Sequence, residues 1–313
     1  MIRVGVIGAG AMGKNHIRIY SEMPGVELAG ISDIDKDLVE GLAQEYNAKA
    51  FTDYNELLKM DLDAISIVVP TKMHRKVAIE CIEAGANVLV EKPIADSVEN
   101  AQAIIDAAEE NGKLVMVGHI ERFNPAVIKL KEIIESGLLG KIVSISTTRV
   151  GPYNPRIRDV GVILDIGVHD IDIISCLYGK EVNQVYAVAG ADIHSFEDHA
   201  TIHMRFDHEF SGLVEVNWLT PHKVRKLTAL GVEGVAYLDY IDQTVELHDS
   251  GWVRKAKIEQ KEPLRNELEY FVDCVKEGRK PKPSGEDGMH ALKVSLAAIQ
   301  SYEEEKLTQI QQD

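Results

Sequence analysis

A chain of 313 residues with 45% hydrophobic and 27% charged side chains has the composition of a folded protein of two domains and excludes a disordered or fibrous chain. A net charge of −16 disfavours non-specific binding to nucleic acid or to an anionic membrane, so an anionic ligand requires a local basic pocket. Three distant cysteines (Cys81, Cys176, Cys274) without a CxxC pair exclude a paired disulfide framework; with no signal pattern and no apolar run near the roughly 20 residues of a membrane span, a cytoplasmic protein is expected.

Residues 3–7 read as a short apolar strand ending in glycines, followed by a helix over 11–22, a strand over 26–32 and a helix over 35–46. The run Ala64-Ile65-Ser66-Ile67-Val68-Val69 is apolar and β-branched nearly throughout, as a strand buried on both faces requires. A helix over 74–84, a strand over 87–90, a helix over 98–110 and a strand over 114–117 continue the alternation. Strands alternating with helices predict an α/β fold with a doubly wound parallel sheet.

The rhythm changes after residue 124. A helix over 127–135 precedes half-buried strands over 141–149, 184–189, 200–206, 212–217 and 226–231, interrupted by a helix over 163–177. Helices over 266–277 and 289–304 flank a Pro/Gly-rich loop at 280–288, and the polar tail from 303 onward reads as frayed. The expected division is a nucleotide-binding domain over 1–121 and an α+β domain over 122–313, built on an antiparallel sheet.

Gly8-Ala9-Gly10-Ala11-Met12-Gly13 follows the first strand and opens the first helix. In that context the glycines allow a tight turn, close approach of backbone amides to a pyrophosphate, and close packing of helix on strand. Asp33 ends the second strand, about 20 positions on, where a carboxylate accepts hydrogen bonds from ribose hydroxyls and repels a 2′-phosphate. NAD is therefore expected rather than NADP. Polar residues gather at other strand ends too: Pro70 and Thr71, Glu91 and Lys92, Gly118 and His119. In sheets of this kind ligands bind outside the carboxyl ends of the strands.

Two further features carry chemistry. Lys92, at a strand end before Pro93, offers an ammonium that polarises an alcohol oxygen or carries a proton; alone it reads equally as a lysine snorkelling from the sheet. On a helix Asp165, His169 and Asp172 share one face of an otherwise apolar segment, which points that stripe at a cavity or partner. His169 suits proton uptake near neutral pH with Asp165 orienting it. Gly167 costs about 1 kcal/mol within a helix relative to Ala, which a close approach of ligand or backbone would explain. The stripe also reads as a structural Asp–His pair, and less well as a metal site, since no second histidine stands at ligand spacing; no metal is expected.

The Gly8–Gly13 motif, Glu91-Lys92-Pro93 and the D-x-G-x-H-x-x-D run at Asp165–Asp172 together resemble the glucose–fructose oxidoreductase/inositol dehydrogenase (Gfo/Idh/MocA) family along the whole chain. The resemblance implies a Rossmann domain, a second domain on a large open, mostly antiparallel sheet that joins dimers or tetramers, and NAD(P)-linked oxidation of a sugar or cyclitol hydroxyl. It makes Lys92, Asp165 and His169 the catalytic set, with Lys92 or His169 as the base, and puts Pro70, Thr71, His74, Glu91 and His119 beside the cofactor. The segment Gly118-His119-Ile120-Glu121-Arg122-Phe123-Asn124-Pro125 is similar to the branch acting on nucleotide-linked amino sugars, which assigns Arg122 and Asn124 to the substrate. Arg149, Arg156 and Arg158 read as forks for a diphosphate and Tyr153 as a stacking surface for a base or sugar, or else as solvated loop residues. The expected reaction is oxidation of the 3-hydroxyl of a UDP-linked N-acetylamino sugar. A free polyol such as inositol, an NAD-dependent glycosidase and a non-catalytic NAD-binding regulator are the alternatives.

Overall fold

The computed structural model describes residues 1–155, 160–207 and 210–310. Strand β1 (Ile2–Ile7), helix α1 (Ala11–Glu22), β2 (Val26–Ser32) and α2 (Lys36–Glu45) form where the apolar periodicity predicts them. Two short elements that the sequence did not announce follow, β3 (Lys49–Phe51) and α3 (Tyr54–Leu58). Then come β4 (Ala64–Ile67), α4 (His74–Glu83), β5 (Asn87–Glu91), α5 (Val98–Asn111) and β6 (Val115–Gly118). The six strands are all parallel, in the order β3-β2-β1-β4-β5-β6. The order reverses between β1 and β4, and the carboxyl ends of strands beside such a switch point form the ligand crevice.

The chain divides into two units, Met1–Ile120 with Glu262–Met289, and Glu121–Lys261 with His290–Asp313. The expected split of 1–121 from 122–313 thus misses a return of the chain. Helix α8 (Pro263–Glu277) belongs with the first unit, where its buried face of Leu264, Leu268, Phe271 and Val272 packs beside α1. Helix α9 (Gly285–Glu304) begins four residues before the expected start. Ser284 and Asp287 bond each other's backbone N–H groups at 2.8 and 3.3 Å, a reciprocal cap of the helix start. Its glycines serve packing: a Cβ at Gly285 would lie 2.8 Å from Ile105, and one at Gly288 would lie 2.5 Å from Val117.

In the second unit α6 (Pro125–Glu135), β7 (Ile142–Pro152), a π-turn (Ile163–Gly167) and α7 (Val168–Tyr178) precede the remaining strands. These are β8 (Gln184–Gly190), β9 (His199–Phe206), β10 (Phe210–Asn217), β11 (Leu219–Gly231), β12 (Val235–Asp239), β13 (Thr244–His248), β14 (Val253–Lys255) and β15 (Thr308–Gln309). They form one open sheet, β14-β13-β12-β11-β7-β10-β9-β8-β15, antiparallel except for the pair β7–β10. Helix α6 packs on β12 and β13, and α7 on β7 and β10, closing a core that includes Leu130, Ile145, Ile174, Ile202 and Val214. The tail expected to fray instead adds β15 to the sheet edge, with Ile310 N–H on the Asn183 carbonyl at 2.8 Å. No helix among the described residues is long and apolar enough to cross a membrane.

Candidate active site

In the first unit the glycine turn has the expected geometry. Gly8 has φ +98°, and a Cβ there would overlap the Val68 carbonyl; a Cβ at Gly13 would overlap the carbonyl of Gly8. A Cβ at Gly10 would meet nothing. Helix α1 starts with no side-chain cap and no acidic residue in its first turn, so no carboxylate competes for the leading N–H groups, those of Ala11 and Met12 included. Open space before an uncapped helix N-terminus is the donor arrangement a pyrophosphate requires, and these residues fit NAD. Asp33 Oδ2 accepts from Ala9 N–H at 2.6 Å and Oδ1 from Asp35 N–H at 2.9 Å. A carboxylate has about four lone-pair sites, so anchoring the turn leaves acceptor capacity for ribose hydroxyls. Pro70 is exposed and Thr71 half-buried where a single 3-10 turn, Thr71–Met73, leaves the end of β4.

Two residues expected on the cofactor are engaged within the protein. His74 is 1% exposed, and its ring nitrogens each lie 2.9 Å from a backbone carbonyl, Nδ1 from Pro93 and Nε2 from Val69. It ties the end of β4 to the turn after Lys92. Burial outweighs the two carbonyls, which favour the protonated ring, and holds the His74 pKa below its ordinary value. Glu91 is also buried: Oε1 lies 3.2 Å from His16 Nε2, and Oε2 accepts from the Lys92 N–H at 3.3 Å. Burial alone would raise its pKa, but the His16 hydrogen bond and the charges of His16 and Lys92 outweigh it, so Glu91 lies below the ordinary carboxylate value. His16 was missed by sequence reasoning, although a histidine among Gly13, Ile17 and Tyr20 on the buried face of α1 is a signal that a buried partner exists. Lys92 is half-buried and its peptide bond to Pro93 is cis. His119 is buried at the end of β6, with its N–H on the Val117 carbonyl at 2.7 Å.

In the second unit Asp165 and His169 are both half-buried, Asp165 in the π-turn and His169 in the first turn of α7. Asp165 N–H bonds the Gly161 carbonyl at 3.0 Å, while Val168 N–H reaches back five residues to Ile163. The regular helix expected over 163–177 is therefore widened by one residue just where the two side chains stand, a feature common at functional sites. Gly167 takes an ordinary helical conformation, and a Cβ there would make only van der Waals contact, at 3.7 Å from the Val162 carbonyl; no close backbone approach demands it.

Asp172 does not share a free stripe with them. It is buried in a bidentate pair with Arg122, at 2.8 Å from Nε and 2.6 Å from Nη2. Arg149, offered as a diphosphate fork, is 2% exposed; Nε lies 2.6 Å from Asp170 and Nη1 2.7 Å from Glu121, with the guanidinium over the Tyr240 ring. Burial opposes its charge, but Asp170 and Glu121 override it and push the Arg149 pKa up. Asn124 caps α6 through Ala126 N–H at 3.0 Å and donates to the Tyr240 carbonyl at 3.1 Å. The segment read as a substrate signature thus builds a buried ion network against α7, because each of its charges finds a partner inside the unit. Tyr153 stacks on His194 at 3.9 Å and meets Trp218 edge-on at 5.2 Å, so one ring face is already covered. Arg156 and Arg158 lie outside the described residues.

Residues 2–119 match the model of an oxidoreductase family with an NAD-binding Rossmann fold (GFO_IDH_MocA), and residues 127–237 match the GFO/IDH/MocA C-terminal domain. The chain is 29% identical to UDP-N-acetylglucosamine 3-dehydrogenase of Acidithiobacillus ferrooxidans over 96% of both chains. A solved structure of that enzyme superposes with a TM-score of 0.91 at 28% identity, covering 97% of this chain and 98% of the other. Myo-inositol 2-dehydrogenase of Thermotoga maritima is 27% identical over 99% of both chains.

Proposed function

Since the chain belongs to the Gfo/Idh/MocA family of NAD-binding oxidoreductases, we propose that it oxidises a sugar hydroxyl, the 3-hydroxyl of UDP-N-acetylglucosamine or of a related UDP-linked amino sugar. The single observation that carries this substrate is the likeness along the full chain to a dehydrogenase of that sugar. NAD, when bound, supplies the acceptor for the hydride leaving the carbinol carbon. In this reading His169 takes the hydroxyl proton, Asp165 orients the imidazole, and Lys92 stabilises the developing alkoxide.

A free polyol is the second reading, and one observation favours it: Arg149 is paired with carboxylates inside the protein, which removes one of the three arginines read as forks for a diphosphate. Incubation with NAD and, separately, UDP-N-acetylglucosamine and myo-inositol tests both. NADH formation with the nucleotide sugar is the expected result; NADH with inositol alone transfers the assignment to the second reading. We place the enzyme in the cytoplasm as a dimer or tetramer, joined through the outward face of the second sheet, where Tyr186, Val188, Leu230 and Tyr237 are exposed.

A further inference from the structure

Among the described residues, the helix that carries Asp165 and His169 starts without a cap of its own. Its first residues, Gly161 and Val162, offer no side-chain acceptor, and the leading N–H groups of a helix need one. The acceptor comes from elsewhere in the chain. Glu197, in the loop between β8 and β9, takes the Val162 N–H on its backbone carbonyl at 2.8 Å and the Ile163 N–H on its side-chain Oε1 at 3.3 Å. The carboxylate lies so close to Gly161 that a Cβ there would overlap it, which gives that glycine its reason. A carboxylate at a helix N-terminus also meets the positive end of the helix dipole.

The loop is built to hold Glu197 in place. The neighbouring Asp198 is buried, and its carboxylate accepts from Ile193 N–H at 2.7 Å, His194 N–H at 3.1 Å and His199 Nδ1 at 2.9 Å. Its backbone carbonyl receives the Trp218 N–H at 2.8 Å, and its N–H bonds Gly190 at 2.8 Å. The loop is thus anchored to β8 and to the end of β10 before it reaches the helix.

We infer that Glu197 is a positioning residue: it caps the π-turn helix from a separate loop and so sets where Asp165 and His169 stand. The inference rests on the dehydrogenase reading for its catalytic consequence, but not for its structural one. Only one residue lies between Ile163 and Asp165, so a helix start that frays or shifts moves the reacting pair directly, while the cofactor residues belong to the other unit.

The test combines kinetics with the His169 ring itself. In Glu197→Ala, kcat is expected to fall about tenfold with KM for the sugar within about threefold, since the loss of a cap is worth about this much. Glu197→Gln, whose amide oxygen still accepts from Ile163, is expected to recover most of kcat. In parallel, NMR of protein labelled at histidine, with His169 identified by its missing signal in His169→Gln, follows the titration of His169 without substrate. Its midpoint is expected to move in Glu197→Ala and to return towards wild type in Glu197→Gln. Gly161→Ala, which displaces the carboxylate while keeping it, is the second variant and is expected to move the midpoint too. An unmoved His169 titration in folded Glu197→Ala or Gly161→Ala overturns the inference. A moved titration in an enzyme that oxidises no sugar keeps it and overturns the dehydrogenase reading instead.

Discussion

His74 shows how a residue picked out for one role serves another. Expected beside the cofactor, it has both ring nitrogens facing carbonyls and is 1% exposed, so its polar atoms tie the protein together. Because burial lowers its pKa in the folded protein, the unfolded chain binds the proton more tightly. Stability therefore falls as pH drops below about 6.5, the ordinary imidazole value, towards the lower folded pKa. Urea unfolding of His74→Gln between those limits is expected to show a flatter pH dependence than wild type. For the proposed reacting groups, His169→Ala and Lys92→Ala are each expected to lower kcat by roughly 10²-fold or more while NAD still binds, measured by NADH formation and by calorimetry. Near-normal turnover in both variants contradicts their roles. At this scale the sequence displayed the glycines and Asp33 clearly, because their demands are local: a positive φ, a close backbone approach, a strand end. It displayed the charges of Arg122 and Arg149 without the carboxylates that neutralise them, since Asp172 and Asp170 lie 50 and 21 residues away.

Helix α7 is held by two arginine–carboxylate pairs, Arg122 with Asp172 and Arg149 with Asp170, and the π-turn that leads into it is capped by Glu197. Removing Arg149 leaves Asp170 and Glu121 buried without their main counter-charge. Arg149→Met is therefore expected to destabilise the protein by about 3–5 kcal/mol, read from urea unfolding, whereas a loss below about 1 kcal/mol is what a solvated surface pair would give. Long periodic elements such as α1 and β2 were readable to the residue. Three-residue β3 was not, being too short to show a period, and the start of α9 was hidden because glycines that usually end helices are there to let the helix lie against Ile105 and Val117. The π-turn at Ile163–Gly167 likewise has no signature in apolar spacing; its geometry depends on what caps and crosses it.

On the scale of the molecule, the sequence foretold two architectures and the order in which they come, but not the chain's return to the first unit through Glu262–Met289. Alternation reveals which elements form, and α8 carries an apolar face that either unit's core would accept. The second sheet leaves one face to alternating residues that point away from the core, Tyr186 and Val188 on β8 and Tyr237 on β12 among them. Light scattering is expected to find a dimer or tetramer, and Val188→Glu with Tyr237→Glu to shift it towards monomer; a wild-type monomer contradicts the assembly. We propose above that the protein removes hydride from a sugar carbinol. It is tested most directly with UDP-N-acetylglucosamine deuterated at carbon 3, incubated with NAD and analysed by mass. Reduced cofactor carrying the deuterium, and a keto sugar that has lost it, are the expected products. Cofactor that is bound but not reduced, with this sugar or with inositol, contradicts it.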